Sequence, residues 1–179
     1  MSKKFTTGLV RLSYPHLFKP GETLNGDMKF SASLIMGKNS DTAKRAKALV
    51  DEMMKDPEVK QLLGKSKIKY PLLRDGDEKG DPAYDGNFYI NAKSNEDHKP
   101  KLLDRDRVDI VDPNELYAGC YVQAVLSIYP YNKNGNSGFG ASLLAVRFIK
   151  DGEPLTGGTV TDDDWDDDLL EGDGLDDLM

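Results

Sequence analysis

Residues 117–131 read YAGCYVQAVLSIYPY, followed by NKNGNSG at 132–138 and FGASLLAVRFI at 139–149. In the first stretch Val122, Ala124, Leu126 and Ile128 recur at every second position. Tyr121, Gln123, Val125, Ser127, Tyr129 and Tyr131 take the alternate ones. A period of two sends these sets to opposite faces of a strand. Asn134-Gly135 then supplies a dipeptide favoured in tight hairpins, because both residues tolerate positive φ. The return stretch offers Leu144, Val146 and Phe148 to the core and turns Arg147 outward. A long antiparallel hairpin, apolar on one face and rich in tyrosine on the other, therefore anchors the fold.

Working outward, FYINAK at 88–93 reads as a short strand, with Phe88, Ile90 and Ala92 inward and Tyr89, Asn91 and Lys93 outward. MKFSASLIM at 28–36 alternates in the same way, with Phe30, Ala32, Leu34 and Met36 on the core side. FTTGLVRLSY at 5–14 forms a first strand, placing Val10, Leu12 and Tyr14 on one face and Leu9, Arg11 and Ser13 on the other. Residues 15–27 hold Pro, Gly, Asn and Asp and read as a loop. Ser40 and Asp41 offer N-caps for a helix over 42–55, with Ala46, Leu49, Val50, Met53 and Met54 as its apolar stripe. Pro57 interrupts it, and a further turn or two runs to Leu63 before Gly64. Residues 64–87 form a long polar loop and 94–116 an irregular charged one. Five strands with a helix after the second predict a mainly β fold, an OB-like five-stranded barrel with an inserted helix. A β-sandwich is the rival architecture.

Charge divides the chain more sharply than composition does. Residues 151–179 contain 12 acidic residues and no Lys or Arg. All 24 basic residues therefore lie in 1–150 beside 19 acidic ones, so the body carries +5 and the tail −12. The body can attract a polyanion and the tail cannot. DDDWDDDLLEGDGLDDLM, at the C-terminus, repels itself and has no core of its own, so 156–179 is expected to be disordered beside a domain at 1–155. Its carboxylates mimic a phosphate chain, while Trp165, Leu169, Leu170, Leu178 and Met179 are candidate anchors for a partner's pocket. A purely solubilising tail is the plainer alternative. There is no run of about 18 apolar residues and no secretory signal, so a soluble cytosolic protein without membrane contact is expected. One cysteine, Cys120, excludes a disulfide framework and a cysteine-based zinc site; its apolar neighbours mark a buried small hydrophobe.

The outward faces of the strands collect Arg11, Lys29, Tyr89, Lys93, Tyr121, Tyr129, Tyr131 and Arg147. The loops add Lys69, Tyr70, Arg74, Arg105, Arg107 and Lys133, with Lys99 and Lys101 nearby. Cations alternating with rings suit single-stranded nucleic acid: phosphates seek Lys and Arg, and unstacked bases seek flat rings. An ordinary solvated strand exterior has a similar composition. The charge split of body and tail favours the nucleic-acid reading.

LVRLSYPHLFKP, KFSASLIM, FYINAKS and LYAGCYVQAVLSIYPYN with its Gly-rich turn together resemble the phage single-stranded DNA-binding proteins long filed as a domain of unknown function. The resemblance spans about residues 8–155. It implies an OB fold, sequence-independent binding of single-stranded DNA in phage replication or recombination, and a location in the cytoplasm of the infected bacterium. The acidic tail resembles those of replication-fork binding proteins, which recruit polymerases and recombination enzymes. Self-association into a homo-oligomer is compatible with such a barrel. The resemblance carries over no site residue; those named above rest on the strand faces.

Enzyme motifs fit poorly. No P-loop and no HExxH occurs, and His16 and His98 stand far apart. DGDEKGD at 75–81 fails as a calcium loop, because Lys79 and Gly86 fall where oxygen ligands are needed. Asp104, Asp106, Asp109 and Asp112, or a Glu58-Val59-Lys60 triplet, sustain the alternative of a magnesium-dependent nuclease or recombination accessory enzyme. Arg105 and Arg107 among those aspartates make a solvated charge run the better reading. No metal and no cofactor is expected.

Overall fold

The hairpin is built from β7 (Tyr121–Lys133) and β8 (Asn136–Lys150), in a computed structural model that describes residues 2–65 and 67–155. Asn134 and Gly135 turn it with φ of 54° and 87°, the positive pair that a two-residue type I′ turn requires. Preceding it in the chain are β1 (Lys3–Thr6), β2 (Val10–Glu22), β3 (Met28–Gly37), α1 (Asp41–Met54), α2 (Pro57–Leu63), β4 (Arg74–Asp75), β5 (Asn87–Asn95) and β6 (Lys101–Leu103).

Five of these strands close on themselves. β7 pairs with β2, β2 with β3, β3 with β5, β5 with β8, and β8 returns to β7. Every contact in the ring is antiparallel except β5 with β8, which meet in parallel at Lys93 and Ser142. This is an OB-like ring, with the helical insert between its second and third strands. β1, β4 and β6 extend it outside, on β7, β5 and β8 respectively.

The expected inward set of β7 is buried throughout: Val122, Ala124, Leu126 and Ile128 are each 0% exposed. Leu12, Leu34, Ile90 and Val146 meet them at the same exposure. Each such Val, Leu or Ile side chain contributes about 1.5–3 kcal/mol on leaving water. Ser40 caps α1, its Oγ accepting from the Ala43 N–H at 3.2 Å. Asp56 caps α2, where Pro57 needs no hydrogen bond for its ring nitrogen. Ala43, Ala46, Met53, Val59 and Leu63 fix both helices to the barrel core. Cys120 is fully buried, and burial pushes its thiol up to about 11.

The structure corrects the sequence reading at five places. Residues 15–22, expected in a loop, continue β2; register shifts at Ser13/His16 and His16/Gly21 absorb Pro15 and Pro20, which a regular ladder would reject. The first of these irregularities reverses Tyr14, expected beside Leu12 on the inner face. Its φ is 45°, its ring is 58% exposed, and Ser13 is buried instead. Leu144, expected in the core, is 39% exposed while Leu143 is buried. Val125 pairs with Ala145 but Leu126 with Leu143, so Leu144 is the extra residue of a bulge, and the inward phase of β8 changes across it. Finally, the irregular 94–116 stretch contains β6, and residues 5–14 split into β1 and the start of β2. The tail expected at 156–179, including Trp165, Leu169, Leu170, Leu178 and Met179, lies outside the described residues.

Candidate nucleic-acid interface

The turn end of the β7–β8 hairpin borders the outer face of β5. There Tyr129, Tyr131 and Lys133 of β7 share a cleft of about 330 Å³ with Arg74 of β4 and with Asn91 and Lys93 of β5. Gly140 forms part of its lining. A Cβ on Gly140 would stand 2.5 Å from Tyr129 Cζ, so the missing side chain is what lets the ring lie against β8. Tyr129 and Tyr131 are 6.2 Å apart between ring centroids, and Tyr131 stacks on Tyr70 at 6.4 Å with planes 20° apart. Tyr70 is delivered by backbone pairing: Phe139 N–H donates to Tyr70 O at 2.9 Å, and Tyr70 bridges Gly138 in parallel. Arg74 and Lys69 stand over the Tyr70 ring at 5.9 and 5.4 Å. Burial raises the hydroxyl pKa of Tyr129 and Tyr131, so both rings stay neutral and repel no phosphate near neutral pH.

A second cleft of about 660 Å³ adjoins the first, and Lys93, Tyr129 and Lys133 line both. Lys29, Lys99 and the bulged Leu144 line its far side. Lys29 Nζ donates to Asn95 Oδ1 at 2.7 Å across the β3–β5 pair. Among the described residues no carboxylate lines the first cleft, and Asp27 is the acidic side chain on the second. In an OB barrel this is the face bounded by the first and last hairpin loops, where oligonucleotides run.

Nine of the fourteen expected residues therefore fall along one surface: Lys29, Lys69, Tyr70, Arg74, Tyr89, Lys93, Tyr129, Tyr131 and Lys133. Tyr89 joins through its register partner Arg74. The structure does not bring the other five to it. Tyr121 is eight residues from Tyr129 along β7, roughly 26 Å at strand spacing. Beside it Arg11 donates from Nε to Gly119 O at 3.1 Å and from Nη2 to Glu153 O at 2.6 Å. Arg147 pairs with Gln123 in register and donates from Nε and Nη2 to Arg105 O. Arg107 occupies a turn closed by its own N–H to Asp104 O at 3.0 Å. Arg11 and Arg147 thus tie loops to the opposite end of the barrel.

Sequence reasoning missed Tyr14 and Lys79. Lys79 Nζ stands 4.9–5.4 Å from the ring centroids of Tyr14, Tyr84 and Tyr89. Pro15 directly after Tyr14 was the available signal that alternation breaks there. Leu144 had a clearer one: an inward phase through Phe139, Ala141 and Leu143 conflicts with Val146, and only an extra residue reconciles them.

Two of the four aspartates considered for metal chemistry, Asp104 and Asp112, serve the backbone. Asp104 Oδ1 accepts from the N–H groups of Asp106 and Val108, and Asp112 Oδ1 from that of Asn114. Asp75 and Asp77 both bind Lys38 Nζ, at 2.9 and 2.8 Å. Among the described residues no three His, Cys, Asp or Glu side chains gather in a metal-holding group. Among them, too, no helix is long and apolar enough to cross a membrane.

Comparison with known proteins gives a consistent picture. The family model described as "Enterobacter phage Enc34, ssDNA-binding protein" matches residues 3–177. Protein p50 of Acyrthosiphon pisum secondary endosymbiont phage 1 is 33% identical over 170 residues, covering 89% of this chain and 90% of that protein. The single-stranded DNA-binding protein from bacteriophage Enc34, solved in complex with ssDNA, is 30% identical with a TM-score of 0.70, covering 86% of this chain and 89% of that one. Gp2.5, a single-stranded DNA-binding protein encoded by bacteriophage T7, shares the fold at 15% identity, with a TM-score of 0.55 over 89% of this chain and 98% of that one.

Proposed function

This chain belongs to the family of the Enterobacter phage Enc34 ssDNA-binding protein, and on that premise we propose that it binds single-stranded DNA without reading sequence, in phage replication or recombination. The observation that carries the reading is the cleft at the hairpin turn, where three tyrosines and three cations meet beside β5. Bases stack on Tyr70, Tyr129 and Tyr131, at about 1–3 kcal/mol each whichever base is present. Phosphates follow Arg74, Lys93 and Lys133, with Lys29 and Lys99 extending the track. Stacking rings and phosphate-seeking cations serve every base alike, so sequence tolerance follows.

The acidic tail has two jobs in this reading. Its charge of −10 beyond Thr156 competes with DNA for the basic body, and its apolar residues dock a replication or recombination protein. Thr156-Gly157-Gly158 tethers it. A tether this short gives an effective concentration on the order of millimolar, so weak contacts suffice. The nuclease alternative has no comparable support, since Asp104 and Asp112 cap turns.

Incubating labelled single-stranded DNA with the protein and Mg²⁺ separates the two readings. Binding without chemistry yields shifted, intact strands; shortened strands would replace it with the nuclease reading.

A further inference from the structure

We propose that Tyr14 and Lys79 form a second stacking platform, continuous with the hairpin cleft, that takes further nucleotides of the same strand. The proposal rests on the single-stranded DNA reading above and adds a site to it.

Tyr14 sits at φ 45°, in the left-handed region that a bulky residue rarely adopts, and its ring is 58% exposed. Local strain of this kind is held in place by surrounding structure and clusters where ligands bind. The surrounding structure here is specific. Tyr14 stacks on Tyr84 at 6.4 Å with planes 30° apart. Tyr84 is fully buried, donates its hydroxyl to Ser13 Oγ at 2.7 Å, and meets Tyr89 edge-on at 5.0 Å. The Tyr14 hydroxyl donates to Asp81 Oδ2 at 3.3 Å. An exposed ring is thus positioned from beneath and from its edge. Lys79, exposed and free of salt bridges among the described residues, sets an ammonium beside it at 5.4 Å from the ring centroid.

The platform joins the cleft by contact. Tyr131 stacks on Tyr70, Arg74 stands over Tyr70, Arg74 pairs with Tyr89 in register, and Tyr89 meets Tyr84. A further hollow of about 340 Å³ holds Tyr14 and Lys79 together with Asn91 and Lys93, the two residues that also line the hairpin cleft. Tyr84 is buried, so the surface link is Lys79, 5.2 Å from the Tyr89 ring and 5.4 Å from that of Tyr14, and rings and cations alternate through it from the cleft to Tyr14. That arrangement suits a polyanion with exposed bases longer than the hairpin cleft alone accommodates.

The test compares the full-length protein with three variants on oligothymidylates of about 4 and about 12 nucleotides, lengths within the usual range of one OB barrel. Tyr14→Asn removes the ring with a residue that tolerates left-handed backbone; Lys79→Gln removes the cation; Tyr131→Ala disables the hairpin cleft. Tyr14→Asn should leave the short oligomer's affinity unchanged and weaken the long one about tenfold. Lys79→Gln should do the same to a smaller degree, and Tyr14→Trp should keep full affinity for both. Tyr131→Ala should weaken both lengths. Wild-type affinity of Tyr14→Asn and Lys79→Gln for the long oligomer, with Tyr131→Ala still impaired, would overturn the second platform alone. Unimpaired binding by all three would overturn it together with the cleft itself.

Discussion

Gly138 lies against the backbone of Tyr70 so closely that a Cβ on it would stand 2.4 Å from the Tyr70 carbonyl oxygen. The contact is backbone to side chain, so no rotamer change relieves it. It follows from the parallel bridge between the two residues, which holds the loop after α2 against β8. Gly138→Ala should therefore push Tyr70 away from Tyr131, lowering stability by about 1–3 kcal/mol and weakening DNA binding. Paired measurements of thermal unfolding and oligonucleotide affinity check this; an unchanged affinity would detach Tyr70 from the site.

Tyr131→Ala and Tyr129→Ala should each cost about 1–3 kcal/mol of single-strand affinity. Both rings are only half-buried on the barrel exterior, so thermal stability should change little. Equilibrium binding and melting of the same variants decide the point. A large loss of stability with unchanged affinity would mean the rings are structural.

The loop that carries Lys79 has an acid-sensitive anchor. Hydrogen bonds from Lys38 hold the carboxyls of Asp75 and Asp77 below their ordinary value of 3.8, helped by the N–H of Asp77 on Asp75 and that of Gly86 on Asp77. A carboxylate depressed in the folded state stabilises above its unfolded pKa and loses that contribution as pH falls through the folded value. Melting temperature should therefore decline below about pH 4, and Lys38→Met should flatten part of the decline. An identical acid profile for wild type and variant would contradict the anchor.

Deleting residues 159–179 should tighten DNA binding, most at low ionic strength, because salt screens tail and DNA contacts alike. Trp165→Ala should spare DNA affinity and weaken capture of the tail's protein partner. Equal affinity of full-length and truncated protein across a salt series would leave the tail a docking or solubilising role only.

The ring of five strands was legible because alternation marks most of it, although β3 buries Ala32 through Met36 on both faces, Ser33 and Ile35 included. Val122 to Ile128 show the alternation without exception. What alternation cannot carry is the position of a bulge. One extra residue at Leu144 and the irregularity at Tyr14 each reversed a face, and both reversed residues lie on the candidate interface. The site was legible as a composition but not as a surface. Arg11 and Arg147 point outward like Lys93, yet their guanidiniums are spent on backbone carbonyls brought by distant segments, Glu153 and Arg105. Only tertiary placement separates a free cation from an engaged one.

Rings and cations together should give this cleft its hold on single-stranded DNA. The most direct test titrates the protein with single- and double-stranded DNA of one length across a salt series, for wild type and for Lys93→Gln. Wild type should prefer single strands at every salt, with log affinity falling against log salt by about 0.7 per phosphate contact. Lys93→Gln should make that slope shallower by about one contact. A preference for duplex at matched salt, or a slope unchanged by the loss of Lys93, would contradict the account.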